Sequence, residues 1–326
     1  MAITDAPEDV LRFLAARGSA GERTALVTLT GIEGSTSRGI GTIMAVAEDG
    51  ACAGSFSGGC IEKAVVAEAI DAIRDGDARL VRFGAGSPYI DIRLPCGSGI
   101  DLLFSPLPPA APVGAALELL AARKPVCLAL DRDGRVGIDP LPQGAMLSRW
   151  IGEAFALVIA PPLRIVLIGQ GEELTGTARL AACYGARVEA YTPDEGNAAL
   201  LRTEGIAVQH LRSSRTLPDI SPDPWSALLF LFHDRDWEEH LVAQALKDDY
   251  FYIGALGSRK THEGRLTLLE AQGVSAELRA RLRGPIGMIP ATRDPQMLAL
   301  SVLGEVAACY RDAVMVGVQA KVEQCE

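Results

Sequence analysis

The chain has 326 residues, 31 basic against 41 acidic for a net charge of −10, and 48% of its residues are hydrophobic. That length suits two domains at roughly 100–200 residues each, and the acidic balance argues against nucleic acid, whose phosphates it would repel. The seven cysteines, Cys52, Cys60, Cys96, Cys127, Cys183, Cys309 and Cys325, are odd in number and include no CxxC pair, so free thiols in a reducing compartment are expected.

The acidic start MAITDAPEDV lacks the basic-then-apolar layout of a secretion signal, and no apolar run is long and charge-free enough to span a bilayer. A cytoplasmic protein without a membrane partner is the expectation. Residues 8–17 place Val10, Leu11, Phe13 and Leu14 on one side of a short helix. A strand over 25–29 opens into a polar glycine loop over 31–41. Residues 42–46 and 51–54 read as a hairpin around Asp49-Gly50. A helix over 61–74 and a strand over 80–83 follow, and Cys96-Gly97-Ser98-Gly99 leads into a strand over 100–104. Pro106, Pro108, Pro109 and Pro112 mark a connection into another layer of the same domain, which a helix over 114–123 and a strand over 126–130 extend. Pro161-Pro162 separates a first domain, 1–160, from a second, 161–326.

In the second domain strands over 165–168, 188–191, 227–232 and 250–253, with another at Val208, alternate with helices over 173–184, 199–204 and 237–246. This alternation predicts an α/β, Rossmann-like domain with a parallel sheet and helices on both faces. Helices over 258–272 and 295–314 complete it.

Several motifs carry chemistry. Gly169-Gln170-Gly171 follows the first strand of the second domain, where a dinucleotide fold holds a pyrophosphate on backbone N–H groups. Leu174 stands in place of the third glycine. Thr192 ends the next strand where an acid would bind ribose, with Asp194 the nearest acid, and Glu172 and Glu173 bring negative charge to the phosphate position. An NAD(P)-dependent oxidoreductase and a Rossmann-shaped scaffold without a nucleotide both fit these residues. Residues 252–260 run from strand to helix: Ser258 can cap the helix, Gly257 relieves crowding, and Arg259 and Lys260 suit an anion such as phosphate. The alternative is an ordinary capped helix with two solvated cations. His233-Asp234 ends a strand at the ligand-binding edge, as a hydrogen-bond donor, a proton relay or simply a turn. His210, His240 and His262 read as surface residues.

In the first domain, Ser35, Thr36 and Arg38 sit on a glycine-bearing loop. Residues 54–62 set Cys60 and Glu62 at a helix start beside the N–H groups of Ser57, Gly58 and Gly59, a setting that favours a thiolate. Cys96 lies in another tight turn. Either thiol alone reads as a small buried hydrophobe, the commoner fate of a free cysteine; together they suit a soft metal or a transferable sulfur. No GxxxxGK[ST], HExxH or GxSxG motif occurs.

GSTSR at 34–38, GSFSGGCIE at 54–62 and CGSGID at 96–101 resemble the N-terminal signature of the XdhC family, accessory proteins for the maturation of xanthine dehydrogenase and related molybdenum hydroxylases. The GxG strand, His233-Asp234, YIGALGSRK at 252–260 and GPIG at 284–287 are similar to that family's Rossmann domain. Ser37 replaces a usual proline, and Ile289-Pro290-Ala291 stands where the family tends to have Asp-Ile-Gly. With Leu174, the latter counts against nucleotide binding by the second domain. The resemblance implies a chaperone rather than an enzyme. It would bind molybdenum cofactor (molybdopterin), support replacement of an oxo by a sulfido ligand, and deliver the cofactor to the apo-enzyme. A cysteine desulfurase is the second implied partner, and a homo-oligomer is compatible with the role. Ser35, Thr36, Arg38, Gly58, Gly59, Cys60, Glu62 and Cys96 become first-domain cofactor residues, with Cys60 and Cys96 toward the molybdenum; Gly169, Gly171, His233, Gly257, Ser258 and Arg259 become second-domain ones. An assembly factor that recognises only protein is the remaining alternative.

Overall fold

The computed structural model describes residues 6–56, 61–87, 97–107, 111–141 and 146–316. The chain divides into two compact units, one built on Met1–Pro161 and the other on Pro162–Val314.

The first unit opens with helix α1 (Pro7–Ser19), whose first turn holds Pro7, Glu8 and Asp9, a proline and two carboxylates that suit a helix N-terminus. Strands β1 (Thr24–Glu33), β2 (Ile43–Ala47) and β3 (Cys52–Ala53), helix α2 (Glu62–Asp75), and strands β4 (Arg79–Gly84) and β5 (Gly99–Leu107) follow. The five strands form an antiparallel sheet in the order β3-β2-β1-β5-β4. Both faces of this sheet are covered. Ala25, Val27 and Leu29 of β1 join Val65, Ala69 and Ala72 of α2 in one core. Leu26, on the opposite face, joins α1, helix α3 (Val113–Ala121) and a second sheet. Two-sided burial explains why β1 is mostly apolar, with Thr28 buried among Leu26, Val27 and Leu29.

The second sheet contains β6 (Val126–Asp131), β7 (Val136–Asp139), β8 (Arg149–Ile151) and β9 (Ala154–Ile159), in the antiparallel order β7-β6-β9-β8. Sequence reading finds only the first of these strands. β7 and β8 are short and partly exposed, and so carry little apolar signal.

The second unit contains β10 (Arg164–Gly169), α4 (Gly171–Tyr184), β11 (Arg187–Thr192), α5 (Glu195–Thr203), β12 (Ala207–His210), β13 (Ser226–Leu231), a 3-10 turn (Arg235–Trp237), α6 (Glu239–Ala245), β14 (Tyr252–Ala255), α7 (Arg259–Ala271), α8 (Ala276–Ala280), β15 (Leu282–Arg283) and α9 (Pro295–Val316). Its six strands are all parallel, in the order β12-β11-β10-β13-β14-β15. Ile165 and Leu167 of β10 pack with Ala178 of α4 and Val302 and Val306 of α9. Val166 and Ile168 pack on the other face with Leu241 and Val242 of α6 and Leu269 of α7. This is the Rossmann-like domain expected, with shifted boundaries: α4 starts at Gly171, α5 starts at Glu195 rather than 199, α6 starts at Glu239 rather than 237, and β14 lies two residues later than anticipated. No helix among the described residues is long and apolar enough to cross a membrane.

Strand order reverses between β10 and β13, so the carboxyl edge there is the natural ligand crevice. The chains approach closely at that edge. A Cβ on Gly169 would collide with the Leu231 carbonyl oxygen and lie 2.7 Å from its carbon. Gly169→Ala is expected to destabilise the second unit by about 1–3 kcal/mol, seen as a lower urea midpoint by circular dichroism.

Candidate functional site

A cleft of about 930 Å³ opens along the carboxyl edge of the parallel sheet. One wall follows β13 and β14. His233 lies beyond the end of β13, and Leu256, Gly257 and Ser258 join β14 to α7. Ser258 caps α7, its hydroxyl accepting from Thr261 N–H at 3.1 Å. Gly257 has φ +147, and a Cβ there would lie 2.8 Å from Thr261 Cγ2, so this turn requires glycine. Arg259 stands at the first position of α7.

The opposite wall is residues 285–295, which lead from β15 into α9. Ser301 pins this segment by accepting from Ile289 N–H at 2.7 Å. Ala291 holds φ +58, a left-handed conformation that favours glycine. Asp294 caps α9, accepting from the N–H groups of Gln296 and Met297 at 3.2 Å each.

The charges lining the cleft are unequally matched. Glu173, from the first turn of α4, lies 3.0 Å from His233 Nε2 through its carboxylate. Asp294 is occupied as a cap. Arg259 and Arg293 have no ion-pair partner among the described residues. In a chain of net charge −10, this cleft therefore offers two free guanidinium groups, which suit a phosphate or carboxylate. Behind the wall, Arg265 of α7 donates to Glu238 at 3.1 and 2.6 Å and to the Leu256 carbonyl at 2.8 Å, fixing the end of β14.

His233, Gly257, Ser258 and Arg259 are thus brought together. Gly169 and Gly171 do not line the cleft. Sequence reading missed Arg293 and Asp294, for which the signal was a loop bracketed by Pro285, Pro290 and Pro295. His262, expected on the surface, is partly buried against Gly284, and that burial, with Arg265 nearby, pushes its pKa down.

In the first unit, strand pairing gathers the motif loops at one end of the five-stranded sheet. Glu33 and Gly84 both face Gly99, and Gly54 abuts Ile43. The loop after β1, bearing Ser35, Thr36 and Arg38, is therefore beside the turn entering β5 and the segment leaving β3. Arg82 forks onto Asp101 at 2.8 and 2.9 Å and reaches Glu33 at 2.6 Å, clasping these strand ends. Arg38 and Ser55 line a cavity of about 250 Å³. The carboxylate of Glu62 is buried. It accepts from Ser55 Oγ at 2.9 Å and from the N–H groups of Phe56 and Ile61 at 3.2 Å each, so it braces both ends of the loop between them. Gly58, Gly59, Cys60 and Cys96 lie outside the described residues. Burial pushes the thiols of Cys52, Cys127 and Cys309 up, so none of these three is an activated thiolate. Among the described residues no cluster of His, Cys, Asp or Glu is arranged to hold a metal ion.

The family model for the XdhC and CoxI family matches residues 18–84, and that for the XdhC Rossmann domain matches residues 165–306. The chain is 35% identical over 308 residues to the molybdenum cofactor insertion chaperone PaoD of Escherichia coli (strain K12), covering 94% of this chain and 89% of that protein. It is 30% identical over 212 residues to YqeB of the same organism, covering 61% of this chain and 36% of YqeB. A crystal structure described as a xanthine dehydrogenase from Bacillus halodurans shares the fold, with a TM-score of 0.75 at 19% identity, covering 94% of this chain and 96% of that one. With both signature regions matched and most of a relative's length aligned above 30% identity, the chain belongs to the XdhC and CoxI family.

Proposed function

We propose that this protein binds molybdenum cofactor and hands it to the apo-form of a molybdenum hydroxylase. The observation that carries the reading is the pair of free guanidinium groups, Arg259 and Arg293, in an open cleft of a chain 35% identical to an insertion chaperone along 89% of that chaperone's length. The cofactor presents a phosphate, a dithiolene and a flat polar ring. The fit is chemical: Arg259, Arg293 and Ser258 suit the phosphate, and Ile286 and Leu298 supply apolar surface for a ring face. In the first unit, Ser35, Thr36, Arg38, Gly58 and Gly59 belong to the same proposal, with Cys60 and Cys96 toward the metal and its sulfur. Glu62 acts there by holding the loop. Exchange of an oxo for a sulfido ligand, with a cysteine desulfurase as sulfur donor, is the finer part of the reading. The Gly171 N–H, engaged by Asn197 at 2.7 Å, weighs against an NAD(P)-dependent oxidoreductase.

The test is anaerobic purification from a cofactor-producing host, with bound pterin measured as its fluorescent oxidation product. The wild type is expected to carry pterin and to activate an apo-hydroxylase on mixing. Arg259→Ala/Arg293→Ala is expected to retain it at least about tenfold less well, since each hydrogen bond to a charged group is worth about 1.5–3 kcal/mol. Pterin absent from the folded wild type would defeat the proposal. Capture of a cysteine desulfurase by the loaded protein checks the sulfur-transfer part.

A further inference from the structure

In a parallel sheet of this topology, the N–H of the second glycine of the first strand-to-helix turn is a donor offered to a nucleotide pyrophosphate. Here Gly171 N–H donates to Asn197 Oδ1 at 2.7 Å. Asn197 is held in place, because its own N–H donates to Asp194 Oδ1 at 2.7 Å in the first turn of α5. The other fittings of a dinucleotide site are engaged in the same way. Asp194, the acid nearest the end of β11, is the cap of α5 and not a free ribose acceptor. Thr192 is fully buried, and its hydroxyl accepts from Asp194 N–H at 3.2 Å. Leu174, in place of a third glycine, is fully buried in the core. Glu172 and Glu173 occupy the first turn of α4 and answer its dipole with their own negative charge.

The protein thus supplies from its own side chains what a bound nucleotide would supply: an oxygen acceptor on the loop amide and negative charge at the helix start. We infer that Asn197 is the specificity residue that closes this turn to nucleotide pyrophosphates, so that the second unit takes anions only in the cleft beyond β13 and β14. The inference goes beyond cofactor delivery and holds whatever the cleft carries.

Calorimetric titration with NAD, NADP and ADP-ribose tests it. To separate the turn from the cleft, each titration is run in the wild type and in the Arg259→Ala/Arg293→Ala background. In that background the chain with Asn197 intact is expected to give no binding heat at millimolar ligand. Adding Asn197→Ala and Glu172→Gln is expected to raise affinity for ADP-ribose at least about tenfold, the worth of one hydrogen bond to a charged group. Asn197→Asp, which keeps an acceptor on the amide and adds negative charge, is expected to give no gain. Melting curves and circular dichroism establish folding; should the alanine variant not fold, Asn197→Ser, whose shorter hydroxyl side chain removes the carboxamide, replaces it with the same expected gain. Nucleotide binding that survives loss of Arg259 and Arg293 with Asn197 intact would overturn the inference. So would a folded Asn197 variant that gains nothing.

Discussion

Replacing Arg265 by alanine is expected to lower the unfolding free energy of the second unit by about 3–5 kcal/mol, the usual result of stripping one partner from a buried ion pair. The Arg265 and Glu238 side chains are only 8% and 4% exposed, and the guanidinium donates twice to one carboxylate oxygen. Without it, the Glu238 carboxylate stays out of water with its main counter-charge gone. Since whole domains are stable by only about 5–15 kcal/mol, the loss is a large fraction of the total. Urea unfolding followed by circular dichroism and tryptophan fluorescence measures it, with Trp237 beside Glu238 as a local reporter. Exchanging both partners for apolar residues, Arg265→Met with Glu238→Leu, is expected to cost far less, because no charge is then left buried. A loss below about 1 kcal/mol for Arg265→Ala would mean that solvent reaches the pair. The same variant frees the Leu256 carbonyl, so the turn carrying Ser258 and Arg259 should exchange its amide hydrogens faster.

The second large effect is expected at Glu62. Its carboxylate accepts from buried donors on both sides of residues 57–60: the Ser55 hydroxyl and the N–H groups of Phe56 and Ile61. Glu62→Ala leaves all three without this acceptor, for an expected loss of about 3 kcal/mol or more. Glu62→Gln keeps one acceptor oxygen but turns an NH2 group toward the donors, so an intermediate loss is expected. Hydrogen exchange at the amides of residues 56 and 61, with limited proteolysis between them, reads the loosened loop directly. Unchanged protection in Glu62→Ala would show that the loop is held by other contacts.

The second unit was legible because its central strands β10 and β13 are buried on both faces, and residues 165–168 and 227–232 accordingly stand out as short apolar runs bounded by glycine or polar residues. Helix α8 and strand β15 escaped notice; one is a five-residue polar helix and the other two residues long. The hairpin of β2 and β3 was legible through Asp49-Gly50, whereas β8, three residues with exposed ends, carries no comparable signal. At the site, Gly257 and Ser258 were legible because a strand-end turn and a helix cap are local events. Arg293 and Asp294 were not, because only the pairing of β15 with β14 brings their loop across. Glu173 looked like a charge that would repel phosphate. Its partner His233 lies 60 residues away in sequence, and that contact changes the reading.

The placement of β10 has a consequence for biosynthesis. Its second neighbour, β13, pairs Ser226 with Arg164, about 60 residues further along the chain. At about 5–20 residues per second on the ribosome, one edge of β10 waits about 3–12 s for its partner after it is made. During that interval its apolar stretch, Ile165, Val166, Leu167 and Ile168, has an open side in a growing polypeptide. The nascent chain, rather than the finished protein, is therefore the form most exposed to wrong strand pairing with its neighbours.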